Sequence, residues 1–176
     1  MTPNDNPDRL ELAPSPWVLR FAALVADGGR VLDVACGAGR HARLFAAMGY
    51  VVNAVDRDLA SFGMVPTSVN VLQADIESGP WPYAGEKFAG VVVTNYLHRP
   101  LMATLIACVA PGGVFIYETF AAGNERYGRP SRPDFLLQPG ELLEAVRGHL
   151  QVVAFEDIRV DSPKPAKVQR IAAVRL

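Results

Sequence analysis

The chain switches repeatedly between helix-period and strand-like apolar patterns. In "WVLRFAALVA" the residues Val18, Phe21, Leu24 and Val25 fall on one face, which predicts an amphipathic helix over residues 16–27 that Gly28-Gly29 stops. "RVLDVA" (30–35) is a short continuous apolar run, the pattern of a buried strand. "RHARLFAAMG" (40–49) predicts a helix with Leu44, Phe45 and Met48 inward and Gly49 as its stop. "YVVNAV" (50–55), ending at Asp56, and "SVNVLQAD" (68–75) are the second and third strands. "FAGVVVTNYL" (88–97) is too rich in β-branched valine to favour helix and is the fourth. Pro100 opens a helix over "PLMATLIACVA" (100–110), and "GGVFIYETF" (112–120) is the fifth strand. "PGELLEAVRGH" (139–149) predicts a helix. Residues 150–160 and 166–176 predict two strands joined by a turn at Ser162-Pro163-Lys164-Pro165.

This order of elements predicts an α/β fold. A Rossmann-like, mostly parallel sheet of six or seven strands would carry helices on both faces and close with a C-terminal antiparallel hairpin. One domain is expected over residues 16–176, behind a tail, residues 1–15, whose prolines and polar residues read as loose. In such sheets ligands bind at the carboxyl ends of the strands, near the point where strand order reverses. The residues there are Asp33, Asp56, Asp75, Thr94-Asn95-Tyr96 and Tyr117-Glu118-Thr119. An acid at one strand end is ordinary, because it can cap the next helix. Three in succession predict a cleft.

Composition narrows the classes. Of 176 residues half are hydrophobic and a fifth charged, with a net charge of −1. That is a globular balance with no overall pull on nucleic acid or membrane. No apolar run approaches the roughly 20 residues needed to span a bilayer. The start lacks the basic and apolar blocks of a secretory signal. With only Cys36 and Cys108, neither in a CxxC pair, the expectation is a reduced, cytoplasmic protein without a metal site.

"GAGRHA" satisfies a GxGxxA turn through Gly37, Gly39 and Ala42. Asp56 follows about 20 residues on, where an acid for ribose hydroxyls belongs. Charge then separates the candidate ligands. Asp33 stands four residues before Gly37, and a pyrophosphate beside it would be repelled. A ligand with an ammonium group, a sulfonium and no phosphate, S-adenosylmethionine, would be attracted. Its ribose suits Asp56 and its adenine amine suits Asp75. A nicotinamide dehydrogenase would also need a second domain for its substrate, and the chain has no residues left for one.

"VLDVACGAGRH", "VVNAVDRD", "LQADIE" and "FAGVVVTNYLH" resemble, in order and spacing, the successive motifs of class I S-adenosylmethionine-dependent methyltransferases. The resemblance covers residues 16–176 and implies roles residue by residue. Asp33, Ala35, Cys36, Gly37 and Gly39 would hold the methionine part, with Cys36 packed beneath it. Asp56 would take the ribose, Arg57 would flank the adenine, and Asp75 and Ile76 would meet its edge. Asn95 and Tyr96 would line the methyl-transfer end. More loosely, "FLLQPGELLEAV" resembles the small bacterial tellurite-resistance methyltransferases and implies a small acceptor. The chain departs from the family between Asp56 and Val69, where Gly63, Pro66 and Thr67 interrupt a short segment. The usual helix is expected to reduce to a turn there.

Near the fourth strand end, His98 is the candidate proton acceptor, against the plainer role of a helix cap or solvent-facing side chain. Tyr96 is expected to wall the methyl site. His41 either touches ligand or packs, and His149 is expected at the surface. The stretch "AAGNERYGRPSRPDF" is long for a connection. Its Arg126, Arg129 and Arg132 could fork onto an anionic small-molecule acceptor, with Glu118, Glu125 and Tyr127 orienting them. Basic residues from Arg159 to Arg175 are spread over two strands and a turn, so a nucleic-acid track is not expected. The readings that stay open beside methyl transfer are a dinucleotide-binding oxidoreductase, a silent S-adenosylmethionine-binding module and an RNA or protein methyltransferase. Oligomeric state has no signature in the sequence.

Overall fold

The computed structural model describes residues 13–176. Seven strands form one sheet: β1 (Arg30–Val34), β2 (Val51–Asp56), β3 (Val69–Gln73), β4 (Phe88–Thr94), β5 (Val109–Phe120), β6 (Gln151–Val160) and β7 (Ala166–Val174). Their spatial order is β3-β2-β1-β4-β5-β7-β6. The first five run parallel, and β7 lies antiparallel to both β5 and β6. The helices are α1 (Pro16–Phe21), α2 (Arg40–Ala47), α3 (Met102–Ala107) and α4 (Glu141–Val146). The chain therefore winds outward from β1 to β3, returns to β4 and winds the other way. The reversal lies between the paired neighbours β1 and β4.

Both faces of the sheet are covered, which is why β4 and β5 carry the unbroken apolar runs Val91–Val93 and Val114–Tyr117. Side chains alternate in direction along a strand. Val91 and Val93 join Leu32, Val34, Phe115 and Tyr117 against Leu105, Ile106, Leu142 and Val146. Val92 points the other way, into a layer with Val31, Ile116, Trp17, Phe21 and Phe45. No helix among the described residues is long and apolar enough to cross a membrane.

Element boundaries moved for local reasons. The first helix is α-helical only to Phe21, and a 3-10 turn, Ala22–Leu24, carries the chain to extended Val25. A 3-10 turn, Arg99–Leu101, likewise precedes α3, which ends at Ala107. The next residues already belong to β5, which starts before Gly112-Gly113, with a register shift against β4 between Phe88 and Gly90. A Cβ on Gly113 would lie 2.9 Å from the carbonyl oxygens of Phe88 and Ala110, so only glycine fits that crossing. α4 begins after left-handed Gly140 and is shorter than expected. Met48 is not inward: it is the C-cap beyond the last turn of α2 and is 44% exposed. Turns and bends replace a helix between Asp56 and Val69, as the sequence suggests. Of the expected tail, residues 1–12 lie outside the described residues. Ser15 is not loose: it is buried, and its hydroxyl accepts from Trp17 N to cap α1.

Candidate active site

β1 and β4 stop for the same reason. Ala35 (φ 51°) and Asn95 (φ 55°) follow them in the left-handed region, the only non-glycine residues there among those described. Such a conformation costs about 1–2 kcal/mol for an L-residue and concentrates at functional sites. Both residues sit at the reversal of strand order, and both line one cavity. That cavity, about 270 Å³, is bounded by Ala35, Asp56, Arg57, Asp75, Ile76, Glu77, Asn95 and Tyr96. All but Glu77 were expected from the sequence. Glu77 directly follows the Asp-Ile pair at the third strand end, and that adjacency was the available signal.

The glycine turn is tied to β2 at two points. Cys36 N donates to Val55 O (3.1 Å), and Gly37 N donates to Asp56 Oδ2 (2.7 Å). Asp56 Oδ1 accepts from Asp58 N (3.0 Å). Its carboxylate thus organises the turn and still faces the cavity. Asp75 Oδ1 accepts from Glu77 N (2.9 Å) and Ser78 N (3.1 Å), and these bonds hold its pKa below the ordinary carboxylate value.

The two glycines differ in role. A Cβ on Gly37 (φ 51°) would meet nothing within 4 Å, whereas one on Gly39 (φ 74°) would stand 2.4 Å from the Phe62 ring. Gly37 keeps open space at the turn. Gly39 permits packing under it, and neither glycine is among the residues that border the cavity.

Three of the candidate residues lie in the layer under the turn. Asp33 is 1% exposed and lies beneath the turn, where its Oδ2 accepts from Ala42 N (2.9 Å) in the first turn of α2. Burial raises its pKa to about 7, so the charge it sets against a phosphate is weaker than the sequence implies. Cys36 packs in the core layer below the turn, and burial with the Asp33 and Asp56 charges pushes its thiol pKa up. Neither residue borders the cavity. His41 packs rather than faces ligand. Its Nε2 accepts from Ser15 N (3.0 Å), its Nδ1 lies 3.4 Å from Thr94 Oγ1, and burial lowers its pKa to about 3.

At the β4 end, Tyr117 Oη donates to Tyr96 O (2.6 Å), and Asn95 N donates to Glu118 O (2.9 Å). These bonds set the backbone that presents both residues to the cavity. The Tyr96 hydroxyl is buried and interacts with the Glu77 carboxylate. Burial and the Glu77 charge raise its pKa, so the phenol stays protonated. His98 is partly exposed and does not line the cavity, and its Nδ1 stands 3.9 Å from Glu77 Oε2.

The loop after β5 carries exposed Arg126, Arg129 and Arg132, none of which borders the cavity, and Arg132 pairs with Asp134 (3.0 Å). The partners proposed for them are otherwise engaged. Glu118 accepts from Ser15 Oγ (2.6 Å) and pairs with Arg170 (3.0 Å). Glu125 accepts from Gly123 N, and Tyr127 lies under the Arg159 guanidinium. The loop is fixed by residues the sequence did not single out. Arg99 forks onto Glu141 and donates to Asp134 O and Leu136 O. Buried Asn124 donates to Pro130 O and accepts from Lys167 N, and buried Gln169 accepts from Leu142 N and donates to Gln138 O. Their signal is only that polar side chains sit where an apolar one would pack.

The late basic residues form no track. Arg159 pairs with Asp161, Lys167 with Asp157, and Arg170 with Glu118 and Glu156, while Arg175 donates to Val109 O and Ile106 O. No group of three His, Cys, Asp or Glu side chains suited to a metal ion occurs among the described residues. His149 is exposed at the surface, as expected.

Residues 8–160 match the family model of a methyltransferase domain. No curated protein matches the chain in sequence. Among solved structures, TehB from Haemophilus influenzae superposes with a TM-score of 0.72 at 17% identity. The match covers 90% of this chain and 61% of TehB, so this chain spans less than two thirds of that relative. The 1,6-didemethyltoxoflavin-N1-methyltransferase of Burkholderia thailandensis, solved with its namesake compound and S-adenosylhomocysteine, gives 0.66 at 20% identity, covering 91% and 76%. The glycopeptide N-methyltransferase MtfA, complexed with S-adenosylmethionine, gives 0.61 at 20% identity, covering 90% and 92%. At these identities the likeness establishes the fold.

Proposed function

Because the chain belongs to the methyltransferase-domain family, we propose that it transfers the methyl group of S-adenosylmethionine to a small-molecule acceptor. The observation that carries this reading is the cavity at the strand reversal, with open space at Gly37 and carboxylates at the ends of β2 and β3. The residues fit the cofactor. Asp56 keeps acceptor capacity for ribose hydroxyls beyond its two backbone bonds. Asp75 offers an acceptor for an exocyclic amine, buried Ile76 an apolar contact for a base, and Arg57 a planar cation at the rim. Asp33 acts one layer below, by holding the start of α2 under the turn.

When bound, S-adenosylmethionine supplies a methyl carbon already activated by its sulfonium. The chain's task is then alignment and exclusion of water, and alignment can supply on the order of 7–11 kcal/mol in favourable cases. Tyr96 and Asn95 wall the transfer end, and the protonated phenol makes Tyr96 a hydrogen-bonding wall rather than a base. His98, set back behind Glu77, stands where it can relay a proton to solvent. In this reading Arg126, Arg129 and Arg132, on the exposed loop after β5, meet a distal anionic group of the acceptor outside the cavity.

Calorimetric titration with S-adenosylmethionine, S-adenosylhomocysteine and NAD tests the reading. Micromolar binding of the first two without the third is expected. Binding of NAD alone would refute it, and binding without turnover of any acceptor would leave a silent binding module.

A further inference from the structure

A second cavity shares no residue with the first. It is the larger, about 470 Å³, a volume typical of small-molecule pockets. Met102 and Ile106 of α3 and Ala145 of α4 give it an apolar floor. Its polar lining is Lys87, Arg99, His149 and Arg175, with no carboxylate. Two of these cations gather at the C-terminal end of α3. Lys87 Nζ donates to Ala107 O, and Arg175 donates to Ile106 O and Val109 O (both 2.8 Å). A helix C-terminus attracts cations, but it carries at most about half a negative charge. Two full cations therefore meet only neutral carbonyls there, and each keeps N–H donors unspent. Arg99 differs, because Glu141 neutralises it at 2.6 Å.

We propose that this groove is a second binding site, for a small organic anion with an apolar chain: a medium-chain carboxylate whose head meets Lys87 and Arg175 and whose chain lies along α3. Charge and floor each restrict the occupant. An inorganic anion would pair with the cations and leave Met102 and Ile106 uncovered. A neutral chain would cover the floor and leave both cations unpaired, and a cationic one would be repelled. A carboxylate head takes the unspent donors as charge-assisted hydrogen bonds. Its chain then covers the groove that the six residues of α3 line over about 9 Å. The recess and its volume fit a free small molecule rather than a bilayer surface. The inference goes beyond methyl transfer and does not depend on it.

Calorimetry on the full chain tests it with octanoate, hexanoate, octan-1-ol, octylammonium and inorganic phosphate. Octanoate is expected to bind with a submillimolar Kd, whether or not S-adenosylhomocysteine is added. Each methylene that the floor covers is worth about fourfold in affinity, so hexanoate should bind about fifteenfold more weakly. The alcohol, the amine and phosphate should each fall at least about tenfold short of octanoate, the loss of one charge-assisted contact or of the chain. Two variants at exposed positions probe the two parts of the site. Lys87→Gln removes one cation and should weaken octanoate several-fold, and raised salt should weaken it in the parent. Ala103→Trp fills the groove with both cations kept and should abolish binding. Thermal unfolding checks that both variants fold. No binding of octanoate, equal affinity for octan-1-ol, displacement by S-adenosylhomocysteine, or parental affinity in both folded variants would each overturn the proposal. So would binding to phosphatidylglycerol vesicles without binding of free octanoate.

Discussion

Asp56→Ala separates the two tasks that the structure gives one carboxylate. The substitution removes acceptors for Gly37 N at 2.7 Å and Asp58 N at 3.0 Å. Hydrogen bonds to a charged group are worth about 1.5–3 kcal/mol each. Both lie at a wetted rim, where water replaces much of what is lost, so the fold should lose about 1–2 kcal/mol in all. For a chain of this size that is a fall in Tm of roughly 2–8 °C. Cofactor affinity should suffer more. Two ribose hydroxyls lose a charged acceptor, and the turn that Asp56 braces loosens. At 1.4 kcal/mol per tenfold, Kd should rise at least tenfold and up to about a thousandfold. Asp56→Asn keeps the shape and one acceptor oxygen, so it should restore most of the Tm and only part of the affinity. Calorimetry well below Tm, beside thermal unfolding of the same samples, reads both. Parental affinity in a folded Asp56→Ala protein would refute the reasoning, and an affinity loss that tracks the unfolded fraction would assign Asp56 to the fold alone.

Gly37→Val and Gly39→Val should fail differently. The first, strained at φ 51° but meeting no neighbour, should lower Tm less than the second and lose more than tenfold in binding by calorimetry, because its side chain enters the open space at the turn. The second should lower Tm, because its Cβ meets the Phe62 ring at 2.4 Å. Asp33, with its pKa raised from 3.8 to about 7, binds its proton more tightly folded than unfolded. Its contribution is therefore full below about pH 4 and is lost as pH rises through about 7, on the order of 4 kcal/mol in total. In urea titrations Asp33→Asn should gain on the parent across that window, and a gain independent of pH would contradict the burial argument. Arg126→Ala, Arg129→Ala or Arg132→Ala should raise the KM of a carboxylate-bearing acceptor with cofactor affinity intact. Three variants with parental kinetics at low salt would make the loop a solvated one.

The sequence by itself determined the succession of elements and the place of the turn. Periodicity of two or 3.6 and the position of glycine are local properties, and they act before any long-range contact forms. Tertiary structure decided which strand-end acid does what. Asp33 and Asp56 look alike in sequence, each closing an apolar run. β1 is a central strand, and Asp33 lies one residue short of its end, so α2 covers it; Asp56 is the last residue of β2 and stays open at the rim. The left-handed Ala35 and Asn95 were equally hidden, because nothing in alanine or asparagine demands that conformation. Neighbouring strands impose it where the two halves of the sheet part. Glu77 could be read as an acid in a turn, but its approach to His98 and the Tyr96 wall depends on the connection from β3 to β4 crossing back over the sheet. That crossing joins residues far apart in the chain. No local pattern encodes such a contact, because its free energy exists only once both faces of the sheet are packed.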